Sequence, residues 1–390
     1  MVGEGMGRRG RVIAGLVALA VVITVVAGAV TLSGGDDSAP IGAVAAVQDD
    51  HLPTTPLDTI PGRLDLLAAT GVTTTRVDLF WGDIAPSKPA DPANPADPAY
   101  DFSRADLIMQ GLAKHDITPI VSVYDTPGWA TSQPPPAAGV VVNPAAPDPA
   151  AFGAFMGALA TRYSGAFTSP GGEKLPEVRH FEIWNEPNLS LFFTPQFQGK
   201  TPVALNAYAA MDKAAYPAIK RANAEAIVIA GVGGPRSSTS PSGIGAIDWL
   251  RGLRARDIPL DAYSQHIYPG TSPLTETNVV PSWATVGRLL DELDAWKPGL
   301  PLYITEAGYT TAATPYRTEK VTEQQQAQYL SQIYSLPQLH TDRVKTVVWF
   351  NLQDNANWPA GLLRDDGSKK PSYQAFLKAV DEQNGARLTN

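Results

Sequence analysis

Residues 181–188 read Phe181-Glu182-Ile183-Trp184-Asn185-Glu186-Pro187-Asn188. The stretch starts as an apolar strand and ends on two polar residues, Asn185 and Glu186. Pro187 has no backbone N–H to give to a ladder, so the strand closes there. A carboxylate at the end of a buried strand is costly unless it has a partner or a task. The design recurs 120 residues later in Pro301-Leu302-Tyr303-Ile304-Thr305-Glu306-Ala307-Gly308-Tyr309, where a second apolar strand ends on Glu306.

Outward from these two strands the chain alternates short apolar runs with helical patterns. Strands are predicted over 41–47, 72–80, 117–123, 178–184, 226–232, 260–267, 302–306 and 344–350. Helices are predicted over 58–69, 104–114, 149–163, 203–222, 244–254, 282–296, 319–335 and 373–381. Ser103 is expected to cap the second helix, and Asp148-Pro149 to open the third with Pro in its first turn. The first strand is Ala-rich and weakly marked. The others are near-continuous apolar runs, as strands of a parallel sheet covered on both faces should be. Eight strands alternating with eight helices predict an α/β fold, a single (β/α)8 TIM barrel over residues 41–385. An open doubly wound sheet is the other option, but no G-x-G-x-x-G follows any strand.

Composition narrows the chemistry. The formal charge is −8 with no basic stripe, which argues against nucleic acid as a partner. Cysteine is absent, and the five histidines lack metal-ligand spacing, so no metal and no cofactor is expected. Charged residues are 17%, with 35 Pro and 34 Gly, a balance that fits long Pro-rich loops between apolar strands. Such a loop is expected over 81–100. At the amino terminus, Arg8, Arg9 and Arg11 precede an uncharged run to Ser33, close to the roughly 20 residues that span a bilayer. Residues 1–32 are therefore expected to be a signal peptide or signal anchor, and 33–40 a short linker. That order predicts an extracytoplasmic barrel, secreted or membrane-anchored through this segment only, and otherwise monomeric.

In a barrel the site gathers at the carboxyl ends of the strands. Those ends carry Arg76, Asp78 and Trp81; Tyr124, Asp125 and Trp129; Asn185 and Glu186; His266 and Tyr268; Glu306; and Trp349, Asn351 and Asp354. Carboxylates, amides and aromatic rings suit a sugar, whose C–H faces stack on rings and whose hydroxyls need polar partners. Loop aromatics Trp129, Phe192, Phe193, Tyr309 and Trp358 are candidates for distant sugar subsites.

Trp184-Asn185-Glu186-Pro187 resembles the asparagine–glutamate pair of the clan A retaining glycoside hydrolases. The wider stretch looks most like glycoside hydrolase family 39 and related exopolysaccharide-cleaving, cellulase-like barrels. The resemblance implies Glu186 as acid/base and Glu306 as nucleophile. It further implies Arg76 near the nucleophile, Asn185 on the sugar 2-hydroxyl, His266 and Tyr268 in a strand-six motif, and Trp349 as the floor of a subsite. The run from Gly361 to Pro371 is also similar to these enzymes. No accessory β-sandwich like that of the family 39 xylosidases is expected in residues 1–390, so xylosidase activity is not expected to carry over. The implied activity is cleavage of β-linked oligo- or polysaccharides by double displacement. A transglycosylase would share every motif, and a non-catalytic glycan-binding barrel at the cell envelope is the remaining alternative. Arg76 and Tyr268 are expected to hold Glu306 ionised by lowering its pKa.

Overall fold

Eight parallel strands make one sheet: β1 (Val44–Gln48), β2 (Thr74–Phe80), β3 (Thr118–Tyr124), β4 (His180–Ile183), β5 (Ile227–Gly233), β6 (Ala262–Gln265), β7 (Leu302–Ala307) and β8 (Val344–Phe350). Their order is β1-β8-β7-β6-β5-β4-β3-β2. The end strands meet where Thr75 Oγ1 donates to Val47 O at 2.6 Å, so the sheet curls into a nearly closed barrel. This computed structural model describes residues 42–134, 136 and 142–388. The predicted targeting segment and linker fall outside the described residues. Among the described residues no helix is long and apolar enough to cross a membrane.

The outer layer comprises α1 (Ile60–Ala68), α2 (Trp81–Ile84), α3 (Ser103–Lys114), α4 (Pro149–Arg162), α5 (Val203–Ala222), α6 (Ala246–Arg254), α7 (Val286–Asp294), α8 (Glu323–Tyr334) and α9 (Pro371–Leu388). Asp148-Pro149 opens α4 as expected, and the Asp148 side chain caps it by accepting from Ala151 N at 2.8 Å. Ser103 does not cap α3. It is the first helical residue, and its own N–H goes to Asp101 Oδ1 at 3.0 Å. The loop expected from residue 81 opens with the short helix α2 instead. It is anchored by Trp81, which is fully buried with its ring stacked 5.3 Å from Phe155. Trp81 therefore belongs to the helix layer and not to the site.

Side chains alternate across each strand, so one parity faces the helices and the other faces the bore. Val47, Val77, Val121, Phe181, Val228, Ile304 and Val347 join the large core between sheet and helices. Ile120, Ile229, Ala262 and Tyr303 form a separate small core inside the bore. This plug occupies the bore near the amino ends of the strands and leaves the polar residues for the other end. β1 starts three residues later than expected and ends one later, on Gln48, in register with Phe350. That shift gives β1 a polar bore-facing terminus.

Candidate active site

The site is built around Arg76, fully buried on β2. A guanidinium has five N–H donors, and here all five are used. Nε donates to Glu182 Oε2 at 2.6 Å. Nη1 donates to Gln48 Oε1 at 3.0 Å and Glu306 Oε1 at 2.7 Å. Nη2 donates to Ser122 Oγ at 2.8 Å and Asn185 Oδ1 at 2.9 Å. Asp78 Oδ1 also lies 3.0 Å from Nη1, but no proton remains for it and it makes no hydrogen bond. Its other oxygen accepts from Gln48 Nε2 at 2.9 Å and Tyr124 OH at 3.0 Å. One cation thus faces three carboxylates. The residues come from β1, β2, β3 and β7, from β4 and from the bend that follows it; on β3, Ser122 and Tyr124 continue the face that starts with Ile120 of the floor.

The two predicted glutamates meet across the mouth. β4 ends at Ile183, and both Trp184 (φ 72°) and Glu186 (φ 40°) then adopt left-handed backbone, which is uncommon for such side chains. The bend is held by Trp184, fully buried against Phe152 and Phe193 with its Nε1 donating to Phe192 O at 2.8 Å. It delivers Asn185 and Glu186 into the mouth. Glu186 Oε1 lies 2.8 Å from His266 Nδ1, and the same nitrogen is 3.5 Å from Glu306 Oε2. Tyr268 OH donates to Glu306 Oε2 at 2.8 Å. One ligand-type atom each from Glu186, His266 and Glu306 lies within 4.8 Å of the others. Three such donors could hold a cation, but these atoms are already engaged with one another, with Arg76 and with Tyr268. Glu186 and Glu306 are 7% and 8% exposed, so both are reachable from the mouth while nearly desolvated.

Burial raises the pKa of Glu306, aided by the charge on Glu186 and opposed by His266 and Arg76. The lowering expected from Arg76 and Tyr268 is overturned because Arg76 is shared among three acids while desolvation acts on Glu306 in full. Burial alone would lower the pKa of His266, but the Glu306 and Glu186 carboxylates outweigh it and raise the value. Burial also lifts Asp50 well above the ordinary carboxylate range, with Asp78 and Glu306 adding to the effect. Asp50 was not singled out by sequence. It follows the weakly marked β1 and accepts from Asn355 Nδ2 at 2.8 Å.

The structure brings Arg76, Asn185, Glu186, His266, Tyr268 and Glu306 together. Trp349 is a correction. It pairs in register with Val47 on the helix-facing side, is fully buried, and gives its Nε1 to Ala360 O at 2.9 Å. Phe350, the register partner of bore-facing Gln48, is the half-buried aromatic at the rim, 6.3 Å from Trp358. Strand alternation could have shown this, since 346, 348 and 350 share one face. Among the loop aromatics, Phe193 and Tyr309 are core, and Trp129 donates to Ala85 O. Phe192 and Trp358 stay partly exposed, 6.2 Å from Tyr124 and 5.0 Å from Tyr268. The run 361–371 packs over the strand-eight end through Lys370 Nζ, which reaches Asp354 Oδ1 at 2.7 Å and Thr311 Oγ1 at 3.0 Å.

Comparison with solved structures places this barrel among known ones. A glucosidase from Croceicoccus marinus matches with TM-score 0.64 and 18% identity, over 88% of this chain and 68% of that one. A family 39 glycoside hydrolase from Bacteroides cellulosilyticus WH2 matches with TM-score 0.59 and 22% identity, over 89% of this chain and 65% of that one. A family 39 β-xylosidase from Caulobacter crescentus gives 0.60 and 19%, over 87% and 71%. The fold is that of glycoside hydrolase barrels. This chain spans about two thirds of the length of these structures, slightly less for the Bacteroides enzyme. No family model and no curated protein matches the chain.

Proposed function

We propose that the chain is a retaining β-glycosidase of the clan A type, most like family 39, acting on an oligo- or polysaccharide. The observation that carries this is the facing pair Glu186 and Glu306, with carboxylate oxygens within 4.8 Å. Retaining enzymes need carboxyl groups about 5–5.5 Å apart, whereas inverting ones leave room for a water at 6.5–9.5 Å. Glu306 would attack the anomeric carbon. Arg76 on one oxygen and Tyr268 on the other orient its carboxylate. Glu186 would give its proton to the departing oxygen as the bond to that oxygen breaks. After the glycosyl ester forms on Glu306, water enters, Glu186 takes its proton, and the ester bond breaks to release sugar with its configuration kept. Arg76 fixes Asn185 Oδ1, which leaves Nδ2 to donate to the sugar 2-hydroxyl. The basic-then-apolar order of residues 8–33 is the support for action outside the cytoplasm.

The test is chemical rescue. Glu306→Ala should abolish turnover, and azide should restore it with an inverted glycosyl azide as product. Glu186→Ala should spare dinitrophenyl glycosides, whose leaving group needs no proton. Equal loss on all substrates, with no response to azide in either variant, would sink the assignment. Because Glu306 must be ionised to attack and its pKa is raised, the acidic limb of kcat/KM should lie above the ordinary glutamate value of about 4.3.

A further inference from the structure

The loop after β5 builds a second feature beside Glu186. A cavity of about 390 Å³ opens there, lined by Leu189, Pro235, Arg236, Ser237 and Ser238. It adjoins the glutamate through Gly234, where an added Cβ would fall 3.0 Å from Glu186 Cδ and 2.7 Å from Leu189 Cδ1. Only a glycine lets the loop pass so close to the carboxyl group, and the cavity begins at the next residue. Its cation is Arg236. The stem is seated against Gly243, where a Cβ would come 3.0 Å from Arg236 Cδ. Nε donates to Ser238 O at 2.8 Å, and Nη2 donates to Ser240 Oγ. Among the described residues no carboxylate lies within ion-pair distance of this guanidinium. Asp248, the acid nearby in sequence, accepts instead from Thr239 Oγ1 at 2.5 Å, and Glu186 is bonded to His266.

A half-buried guanidinium held by neutral partners keeps its charge uncompensated and its planar fork oriented. That fork matches the oxygens of a carboxylate, sulfate or phosphate. The chain as a whole carries −8, so a polyanionic substrate would be repelled without a cation dedicated to it. We infer that the cavity is a subsite for a sugar bearing an anionic substituent, placed on the leaving-group side of the cleaved bond and held by Arg236. The leaving-group side follows from Glu186 acting as acid/base, so this part rests on the function proposed above. Leu189 and Pro235 supply apolar wall for a sugar face, and Ser237 and Ser238, both exposed, supply hydroxyls.

The binding part is tested without turnover. In the full chain, the Arg236 Nε–Hε resonance is followed during titration with glucuronate, glucose 6-sulfate, glucose 6-phosphate and glucose. Saturable shifts with at least one anionic sugar, weakened by salt and missing with glucose, are expected; the sugar that responds names the substituent. An Arg236 resonance that ignores all three anionic sugars, or moves equally with glucose, overturns the proposal. Arg236→Gln keeps hydrogen-bonding capacity toward Ser238 and Ser240 but removes the charge, and Arg236→Lys keeps charge without the fork. The ratio of kcat/KM for 4-carboxyphenyl over phenyl β-glycosides should fall roughly ten- to a hundredfold in the Gln variant, and less in the Lys variant. An unchanged ratio in both would remove the leaving-group placement. A responsive resonance in a protein without glycosidase activity would defeat the catalytic reading and leave the anion site standing. Activity with a silent resonance would defeat this proposal alone.

Discussion

The bore of the barrel has two ends, drawn from the same strands and built on opposite principles. β3 gives Ile120 to the floor, then Ser122 and Tyr124 to the mouth. β6 gives Ala262 to the floor, and Ser264 and then His266 follow toward the mouth. β7 gives Tyr303 to the floor, then Thr305 beside Glu306. Two residues of a strand rise about 7 Å, and over that distance the bore passes from close-packed carbon to a charged network. At the floor, each contact is small and any apolar side chain of similar volume can supply it. At the mouth, each group satisfies several others, so removing one leaves the rest desolvated and unpaired. A floor of packed carbon stabilises the barrel. A mouth with one cation among three carboxylates draws on that stability to hold charge where chemistry can use it.

The sharpest way to break this contrast is at Arg76. Arg76→Met should leave Glu182, Asp78 and Glu306 buried without their shared cation and cost about 3–5 kcal/mol in urea unfolding. On the proposed mechanism the same variant should lower kcat by about 10²–10³-fold, since it removes a donor held on the Glu306 carboxylate. A variant of wild-type stability would mean that the mouth carboxylates do not depend on Arg76, and the contrast would fail.

At the floor, Ile229→Ala should cost about 2–5 kcal/mol through lost burial and a residual cavity. Its kcat should equal that of the parent enzyme at temperatures where the variant is folded. A fall in kcat there would show that the two ends are mechanically coupled, and that the floor does more than support.

The mouth was legible in sequence wherever a polar residue interrupted an apolar strand. Glu186, Glu306, Arg76, Asn185 and His266 stand out in that way, Tyr268 follows from the family resemblance, and the structure gathers all six at one place. What escaped lay where the pattern was weak or one residue out of phase. β1 is so short and Ala-rich that its polar end, Gln48, and the Asp50 beyond it carried no signal. Trp349 is what the family resemblance implies, but the parity set by Gln48 and Phe350 puts Trp349 among the helices. The raised pKa of Glu306 was out of reach for a different reason. It depends on how many acids share one guanidinium, which is a three-dimensional count.

The two histidines of the bore offer the finest test. His266 sits between two carboxylates and has its pKa raised. His180, at the start of β4 and 6.0 Å from the Tyr303 ring, has no hydrogen-bond partner at Nδ1. Burial, with a smaller contribution from Arg179, lowers its pKa to about 4. In the unfolded chain it would titrate near 6.5. A base with a depressed folded value binds fewer protons in the native state than in the unfolded state. Its contribution is therefore complete above about pH 6.5 and is lost as the pH falls towards 4. Across that window the loss approaches about 3 kcal/mol, at 1.36 kcal/mol per unit. His180→Phe keeps an aromatic ring beside Tyr303 and cannot charge. The mouth groups also titrate on acidification, so the quantity to follow is the difference in unfolding free energy between the variant and the parent. That difference should move in favour of the variant from pH 7 to pH 4.5. Activity at pH 7 should not change, because His180 sits level with Ile120 of the plug and away from the carboxylates of the mouth. A difference that stays flat with pH would mean that protonated His180 is accommodated in the folded floor. The floor would then tolerate charge as the mouth does, and the division of the bore into a dry end and a charged end would not hold.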